Sequence, residues 1–231
     1  MEKISNKRKI LFLIIFTILG LLAFQISVSQ IIGSTQKFTL FELLGPTGGM
    51  FLGPIFGAIS AFFVRALNII VFHQPVDFLT VIRFLPAILA AVYFGLNKKY
   101  TAIIFPICIA LFLLNPVGRE AWLYSAIWLI PFVASFFKKR LILNSLGATF
   151  TAHAVGSVIF LYTFTLTPAI WIALIPVVFI ERGFFTIGIW SSCLAFNFIL
   201  DKLADFKFAS SLKPLVNQNY LVSTKFFKSF S

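Results

Sequence analysis

The sequence predicts an all-α fold: a polytopic transmembrane helical bundle of about eight membrane segments, with both termini in the cytoplasm. Of its 231 residues, 60% are hydrophobic and 11% are charged, and the mean hydropathy is +1.00. A chain of this composition cannot supply a water-soluble surface. The apolar residues also form separate runs with basic residues between them, which is the pattern of a multi-pass membrane protein.

Eight apolar runs are the predicted spans. The first follows a basic N-terminal cluster and is longer than the roughly 7–15 apolar residues of a signal peptide, so an uncleaved span is favoured over a cleaved leader. Pro86, Pro106, Pro131 and Pro176 lie inside later runs and predict kinks there. The runs cover residues 10–28, 38–52, 55–72, 78–96, 100–115, 121–137, 143–165 and 169–190.

The basic residues set the predicted topology. The net charge is +12, and the cytoplasmic loops of membrane proteins collect Lys and Arg. With the N-terminus inside, the basic residues at 98–99, at 138–140 and in the C-terminal tail all fall on the cytoplasmic side. This distribution indicates a plasma-membrane topology signal rather than a nucleic-acid-binding face, so no nucleic-acid partner is expected.

We expect residues 1–203 to form the transmembrane helical domain and residues 204–231 to form a cytoplasmic tail rich in basic and aromatic residues. The last helix is expected to continue past Ser191 into the cytoplasm. The tail either lies on the membrane surface, is disordered, or docks a cytoplasmic partner.

Aromatic residues near the predicted span ends are interpreted as an interfacial belt, since Trp and Tyr are enriched at membrane–water boundaries. The residues of this belt are Trp122, Tyr124, Trp128, Trp171 and Trp190.

Residues 38–72 are the stretch around which the prediction is organised. A single straight helix of these 35 residues would be about 52 Å long, against a hydrocarbon core of roughly 30 Å. We predict a descending segment at 38–52, a tight turn at Gly53–Pro54 and an ascending segment at 55–72. A re-entrant hairpin is the alternative, and with one other miscounted run it lowers the count to six segments. Small residues at four-residue spacing predict close helix packing, and they are Gly45, Gly49, Gly53, Gly57 and Ala61.

Charged residues inside spans mark the candidate site, because a charge in the hydrocarbon core costs at least ~2.5–3.5 kcal/mol. On the predicted topology these residues lie between the outer edge and mid-depth, which indicates an outward-facing polar cavity. The predicted substrate-binding residues are Glu42, Arg65, Asn68, Arg83, His153, Glu181 and Arg182.

The polar residues of the seventh run share a helix face. Thr149, His153 and Ser157 are spaced by four, so they form one stripe. Structural interpretations stand beside the functional one: the arginines nearest the edge can snorkel, and the adjacent Glu181 and Arg182 can neutralise neighbours such as His153. A lone histidine on an apolar face is often only hydrogen-bonded within the core.

Enzymatic signatures are absent from the sequence. It contains no HExxH, no GxSxG and no Walker A pattern, so neither a zinc protease site, a nucleophile elbow nor an ATP site is predicted. Cys108 and Cys193 both lie in apolar segments without a CxxC pattern, and we expect neither a disulfide nor a metal site. No cofactor and no catalytic residue are predicted.

Residues 38–68 read FTLFELLGPTGGMFLGPIFGAISAFFVRALN. This stretch resembles the second and third helices of the substrate-binding S components of energy-coupling factor (ECF) vitamin importers, whose pattern is an FTL-type start, a small-residue turn and LGPxxGAxxxxL. The family has six helices, and its AxxxA contact in the first helix is matched here only by Ala23-xxx-Ser27. The matching residues are Phe38, Thr39, Leu40, Leu52, Gly53, Pro54, Gly57 and Ala58.

The resemblance implies a chain that captures a vitamin-like molecule from outside and delivers it within a complex of a transmembrane coupling protein and two cytoplasmic ATPases. We therefore expect the membrane-embedded substrate-binding subunit of a small-molecule importer. Its five intramembrane charges sum to +1, which favours an anionic substrate. The alternative is a stand-alone proton-coupled transporter that uses His153 and Glu181 as a relay. A third interpretation is a non-transporting membrane scaffold.

Overall fold

The computed structural model of the chain describes residues 6–30, 37–96, 101–137, 139–207 and 209–221. Within these ranges the helices are accompanied by one antiparallel strand pair, in which Ser29 pairs with Phe38. The α-helices and strands are α1 (Asn6–Phe24), β1 (Ser27–Gln30), β2 (Lys37–Thr39), α2 (Phe41–Leu44), α3 (Thr47–Val71), α4 (Phe78–Ile82), α5 (Phe84–Gly95), α6 (Ile104–Leu114), α7 (Pro116–Glu120), α8 (Trp122–Ala126), α9 (Leu129–Ala134), α10 (Leu141–Thr163), α11 (Pro168–Ala173) and α12 (Ile175–Ala204). Short 3-10 helices cover Ser135–Phe137, Ser210–Leu215 and Gln218–Tyr220.

Long apolar helices confirm the predicted class, an all-α multi-pass membrane protein. Four stretches of the described chain are long and apolar enough to cross a membrane: Thr47–Val71, Phe78–Gly95, Leu141–Thr163 and Ile175–Ala204. Shorter apolar helical stretches accompany them at Lys9–Phe24, Ile104–Leu114 and Trp122–Phe137. The count of eight crossings and the orientation of the termini stay predictions.

The predicted turn at Gly53 is confirmed. Gly53 has φ 78° and ψ 178°, a conformation open essentially to glycine alone. The chain folds back there: a Cβ on Gly57 would lie 2.5 Å from the Cα of Gly49, although eight residues of one helix would separate them by about 12 Å. The close packing predicted for the small residues is therefore confirmed for Gly49 and Gly57, but not along one straight helix. Instead, Gly49 and Gly57 face each other across the turn.

Two predicted spans are shorter as helices than expected. Helix α1 ends at Phe24, and β1 occupies the end of the 10–28 run. The 38–52 run is not one helix, because it begins in β2 and continues as α2 and the first turns of α3. The β1–β2 pairing satisfies the backbone hydrogen bonds that a helix would otherwise supply.

Residues 38–52 and 55–72 are the two arms of a helical hairpin that turns at Gly53. Helix α5 packs on this hairpin most closely at Gly49 and Gly95. A Cβ on Gly49 would collide with the carbonyl oxygen of Ala91, and a Cβ on Gly95 would lie 2.5 Å from the backbone nitrogen of Pro54. Helix α3 packs more extensively against α5 than against any other element. The hairpin and α5 are therefore in direct backbone contact.

Prolines break the predicted spans as expected. Proline lacks the N–H that bonds to the carbonyl four residues earlier, and its ring clashes with that carbonyl. The helix is interrupted two to four residues before each of the four. The breaks lie at Arg83 before Pro86, at residues 102–103 before Pro106, at residues 127–128 before Pro131 and at Leu174 before Pro176.

Two clusters of buried aromatic residues fill the bundle. One contains Phe112, Trp128 and Trp171, with Trp128 and Trp171 both packed edge-on against Phe112. The other contains Phe12 and Phe196, whose ring centroids lie 5.2 Å apart. The second cluster extends to the buried residues of the tail.

The described part of the tail is packed against the bundle. Leu212 is fully buried in the second cluster. The side chain of Asn197, also fully buried, accepts a hydrogen bond from the Asn217 N–H at 2.7 Å and donates to the carbonyls of Asn217 at 3.0 Å and Tyr220 at 3.1 Å.

The prediction that the last helix continues past Ser191 is confirmed, since α12 runs to Ala204. The predictions for the tail beyond Leu221 and for the basic residues at 98–99 and 138 concern positions outside the described residues.

Candidate functional site

A cavity of about 150 Å³ lies among α2, α3, α5, α10 and α12. It occupies the half of the bundle toward β2 and the connection that follows α10, since Phe38 and Leu166 line it. Most of the predicted site residues line this one cavity: Glu42, Arg65, Arg83, His153, Glu181 and Arg182. Their role in substrate binding stays a prediction.

Asn68 lies outside this lining. Its side chain is buried and accepts a hydrogen bond from Gln25 Nε2 at 3.4 Å. The face that it shares with Arg65 on α3 is therefore divided: the arginine lines the cavity, while the asparagine packs toward α1.

One arginine of the cavity joins the two arms of the hairpin. Arg65 Nη2 donates to Glu42 Oε1 at 2.6 Å. Its guanidinium carbon also lies 5.5 Å from the ring centroids of both Phe24 and Phe41. The carboxylate and the two ring faces together offset the cost of placing this charge in an apolar bundle.

A second arginine, on α12, is likewise surrounded by a carboxylate and two aromatic rings. Arg182 Nη2 donates to Glu181 Oε2 at 3.2 Å, and Nη1 donates to Thr149 Oγ1 at 3.3 Å. The guanidinium carbon lies 5.1 Å from the Phe38 ring and 4.5 Å from the Phe185 ring. With 3% of its surface exposed, Arg182 is fixed between α10, α12 and β2. The adjacent charges neutralise each other directly.

The polar stripe of α10 faces the cavity along its length, because Thr149, His153 and Ser157 all line it. Tyr124 Oη lies 3.2 Å from His153 Nε2 and 3.1 Å from Ser157 Oγ. This tyrosine crosses from α8 to α10 and holds the histidine in place. His153 is therefore hydrogen-bonded to Tyr124, whereas Glu181 is hydrogen-bonded to Arg182.

Arg83 is the cation of the cavity without a partner. It lies at the break between α4 and α5 that Pro86 imposes. Among the described residues its side chain makes no hydrogen bond and no ion pair. The three arginines and two glutamates that line the cavity sum to one positive charge. Arg83 is the one of these arginines without an ion pair among the described residues, and Glu42 and Asp77 act on it only at longer range.

The aromatic-belt interpretation is wrong for three of its five residues. Tyr124 and Trp171 are each 2% exposed and line the cavity, and Trp128 is fully buried between them and α10. Trp122, at 60% exposed, remains on the surface. The spacing carried a signal that was missed: Tyr124 and Trp128 are four residues apart and share a helix face, while Trp122 does not.

Buried polar groups are not confined to the half of the bundle that holds the cavity. The ion-paired and cationic side chains converge on the cavity, as described above, but buried uncharged polar groups also occur toward the tail. Asn144, Ser145 and Asn197 are examples. Asn197 is hydrogen-bonded to the backbone of the tail, whereas Asn144 Oδ1 and Ser145 Oγ have no partner among the described residues.

The described part of the chain contains no cluster of side chains arranged as a metal site. No group of three or more His, Cys, Asp or Glu side chains is placed to hold an ion among those residues. Cys108 and Cys193 are both buried and unbonded. The residues of the cavity can donate hydrogen bonds, pair with charge and stack on rings.

The fold and the cavity define an all-α multi-pass membrane protein with a polar interior site. Over 180 residues the chain is 27% identical to the uncharacterized protein MJ0923 of Methanocaldococcus jannaschii, and the match covers 68% of this chain and 60% of that protein. The chain thus spans less than two thirds of that relative's length. No protein-family model matches the chain, and no solved structure matches it significantly.

Proposed function

We propose that the chain is the membrane-embedded substrate-binding subunit of a small-molecule importer and that the cavity is its substrate site. The observation that carries this proposal is the convergence of ionisable side chains from separate helices on one cavity of about 150 Å³. Ionisable residues within membrane domains mark substrate or ion pathways more often than they serve as structure. On the predicted topology the cavity lies in the outer half, where a captured molecule would enter.

The resemblance of residues 38–68 supports a vitamin-like substrate. It also supports a complex with a transmembrane coupling protein and cytoplasmic ATPases, because the sequence carries no ATP site of its own. The stand-alone proton-coupled transporter is less favoured. Its relay needs His153 and Glu181 to exchange a proton, yet each is hydrogen-bonded to another residue of the described chain.

Native mass spectrometry of the protein, extracted from its own membrane in a mild detergent, tests this proposal. We expect a retained small molecule, together with additional subunits that hydrolyse ATP. A retained molecule without such subunits, and uptake of that molecule by the purified chain in proteoliposomes under a proton gradient, would replace the importer with the carrier. A chain that retains no molecule and forms no complex would contradict both.

A further inference from the structure

Charge in the cavity is unbalanced by one cation. Arg65 is paired with Glu42 at 2.6 Å and Arg182 with Glu181 at 3.2 Å. Arg83 has no such partner within the described residues. A bound group of charge −1 restores neutrality, whereas a phosphate monoester, with a charge of about −1.5 to −2 near neutral pH, overshoots it.

Buried hydrogen-bond donors without an acceptor also occur among the lining residues. Three buried donors of lining residues have no acceptor in the described part of the chain: Arg65 Nε, Arg182 Nε and Trp171 Nε1. Each of the two glutamates accepts from an arginine through one carboxylate oxygen. Buried polar groups are normally hydrogen-bonded, so the complementary ligand is rich in acceptors. An ionised carboxylate has two acceptor oxygens and no donor.

The shape of the cavity limits the rest of the ligand. Its volume of about 150 Å³ matches that of an apolar protein cavity that holds a single benzene ring. Aromatic side chains make up much of the wall, and flat rings pack on them in stacked or edge-on contacts. These side chains are Phe38, Phe41, Tyr124, Phe160, Trp171 and Phe185.

We infer that the cavity recognises a small monocarboxylate carried on a flat apolar body of about one ring, and that Arg83 binds the carboxylate. This inference rests on the proposed function, because it names the substrate class of the same site. Arg65 and Arg182 are held by their own glutamates and rings, so they contribute donors to the wall. Arg83 contributes the uncompensated charge.

Three probes of one shape separate charge from size: benzoate, benzamide and benzylamine. Their binding to the full chain in detergent is measured by thermal unfolding and by saturation-transfer difference NMR. We expect the dissociation constant of benzoate to be at least about tenfold lower than that of benzamide, since a hydrogen bond to a charged group contributes about 1.5–3 kcal/mol. Benzylamine is expected to bind most weakly.

Two substitutions at Arg83 and one control complete the test. In Arg83→Gln the preference for benzoate over benzamide is expected to disappear while benzamide binding is unchanged. Arg83→Lys keeps the charge and retains part of the preference. Arg119→Gln removes an exposed arginine that lies outside the cavity lining and is expected to leave all three constants unchanged, which controls for the loss of one positive charge.

The ligand class is overturned if benzamide or benzylamine binds as well as benzoate, or if the benzoate preference survives in Arg83→Gln. It is also overturned if none of the probes binds. The proposed function is judged separately: a neutral or cationic molecule retained in native mass spectrometry refutes the carboxylate but keeps the substrate-binding subunit.

Discussion

Arg65 Nη2 lies 2.6 Å from Glu42 Oε1, and this ion pair ties together the two arms of the helical hairpin. The two side chains are 13% and 20% exposed, so solvent screens the pair only in part. The charge of Arg65 in the cavity wall is therefore neutralised by a residue of the same hairpin, Glu42.

Neutralising one partner of this pair leaves the other charge in an apolar setting. We expect Glu42→Gln to destabilise the protein by about 1–3 kcal/mol, which is the cost of stranding a buried charged donor. The double variant Glu42→Gln/Arg65→Gln is expected to recover part of the loss. Unfolding in detergent measures both, and additive losses in the double-mutant cycle would show that the pair is not coupled.

Gly53 is expected to be irreplaceable for its backbone rather than for space. A Cβ at Gly53 and a Cβ at Gly183 would each meet nothing within 4 Å, but only Gly53 has a positive φ. Gly53→Ala should cost about 1–3 kcal/mol of backbone strain. Gly183→Ala should be neutral or stabilising by up to about 1 kcal/mol, because alanine favours a helix interior. Equal effects on thermal unfolding would contradict the turn.

Gly49 tests the close approach of the hairpin to α5. A Cβ there collides with the carbonyl oxygen of Ala91, which is backbone and cannot swing away. We expect Gly49→Ala to lower the stability by about 1–3 kcal/mol through overpacking. Thermal unfolding compared with Gly183→Ala measures the difference, and a Gly49→Ala protein as stable as that control would place α5 farther from the hairpin.

Asn197 is expected to hold the tail. Asn197→Leu removes three hydrogen bonds to the 217–220 backbone, each contributing about 0.5–1.5 kcal/mol. Limited proteolysis should then cut within residues 205–221 more rapidly, with little effect on cleavage elsewhere. Gln218→Ala, which alters an exposed side chain of the same segment, is the control. Unchanged cleavage in Asn197→Leu would contradict the docking.

The attachment of the tail is also expected to weaken in alkali. The pKa of Lys213 is raised above its ordinary value of 10.5, first by its hydrogen bond to Asp201 and further by the charges of Asp201 and Asp205. A raised pKa in the folded state stabilises the fold below the ordinary value, and that stability is lost as the pH rises through the raised value. The stability difference between wild type and Lys213→Met, followed from about pH 9 to about pH 12, should therefore shrink. A constant difference would show that the charge contributes nothing.

Composition and backbone chemistry account for the parts of the fold that the sequence predicts well. Long apolar runs predict membrane helices because a helix satisfies its backbone hydrogen bonds within a single segment of the chain. Gly53 followed by Pro54 predicts the turn, and the prolines predict the breaks, because both act on the chain locally. The β1–β2 pairing escaped prediction because it depends on a partner strand some ten residues away.

Some features of the candidate site could likewise be predicted from the sequence, and others could not. Charges within apolar runs stand out in a sequence, so the charged residues of the lining were predictable by residue type. The sequence did not show which arginine has no ion pair, because that depends on the contacts of Arg65 with α2 and of Arg182 with Glu181. The place of Tyr124 in the cavity wall depends on how α8 packs on α10 and likewise follows only from the structure.

Filling the cavity tests the central claim most directly. Gly156 lines the cavity, and a Cβ there would meet only Pro86 Cγ at 3.9 Å, while a Cβ on Gly183, outside the lining, would meet nothing within 4 Å. The measurement is the amount of small molecule released on denaturation from wild type, Gly156→Leu and Gly183→Leu, each purified in mild detergent and analysed by mass spectrometry. We predict that wild type and Gly183→Leu carry the molecule and that Gly156→Leu has lost it. Equal amounts in all three, or none in wild type, would contradict the assignment of the cavity as a substrate site.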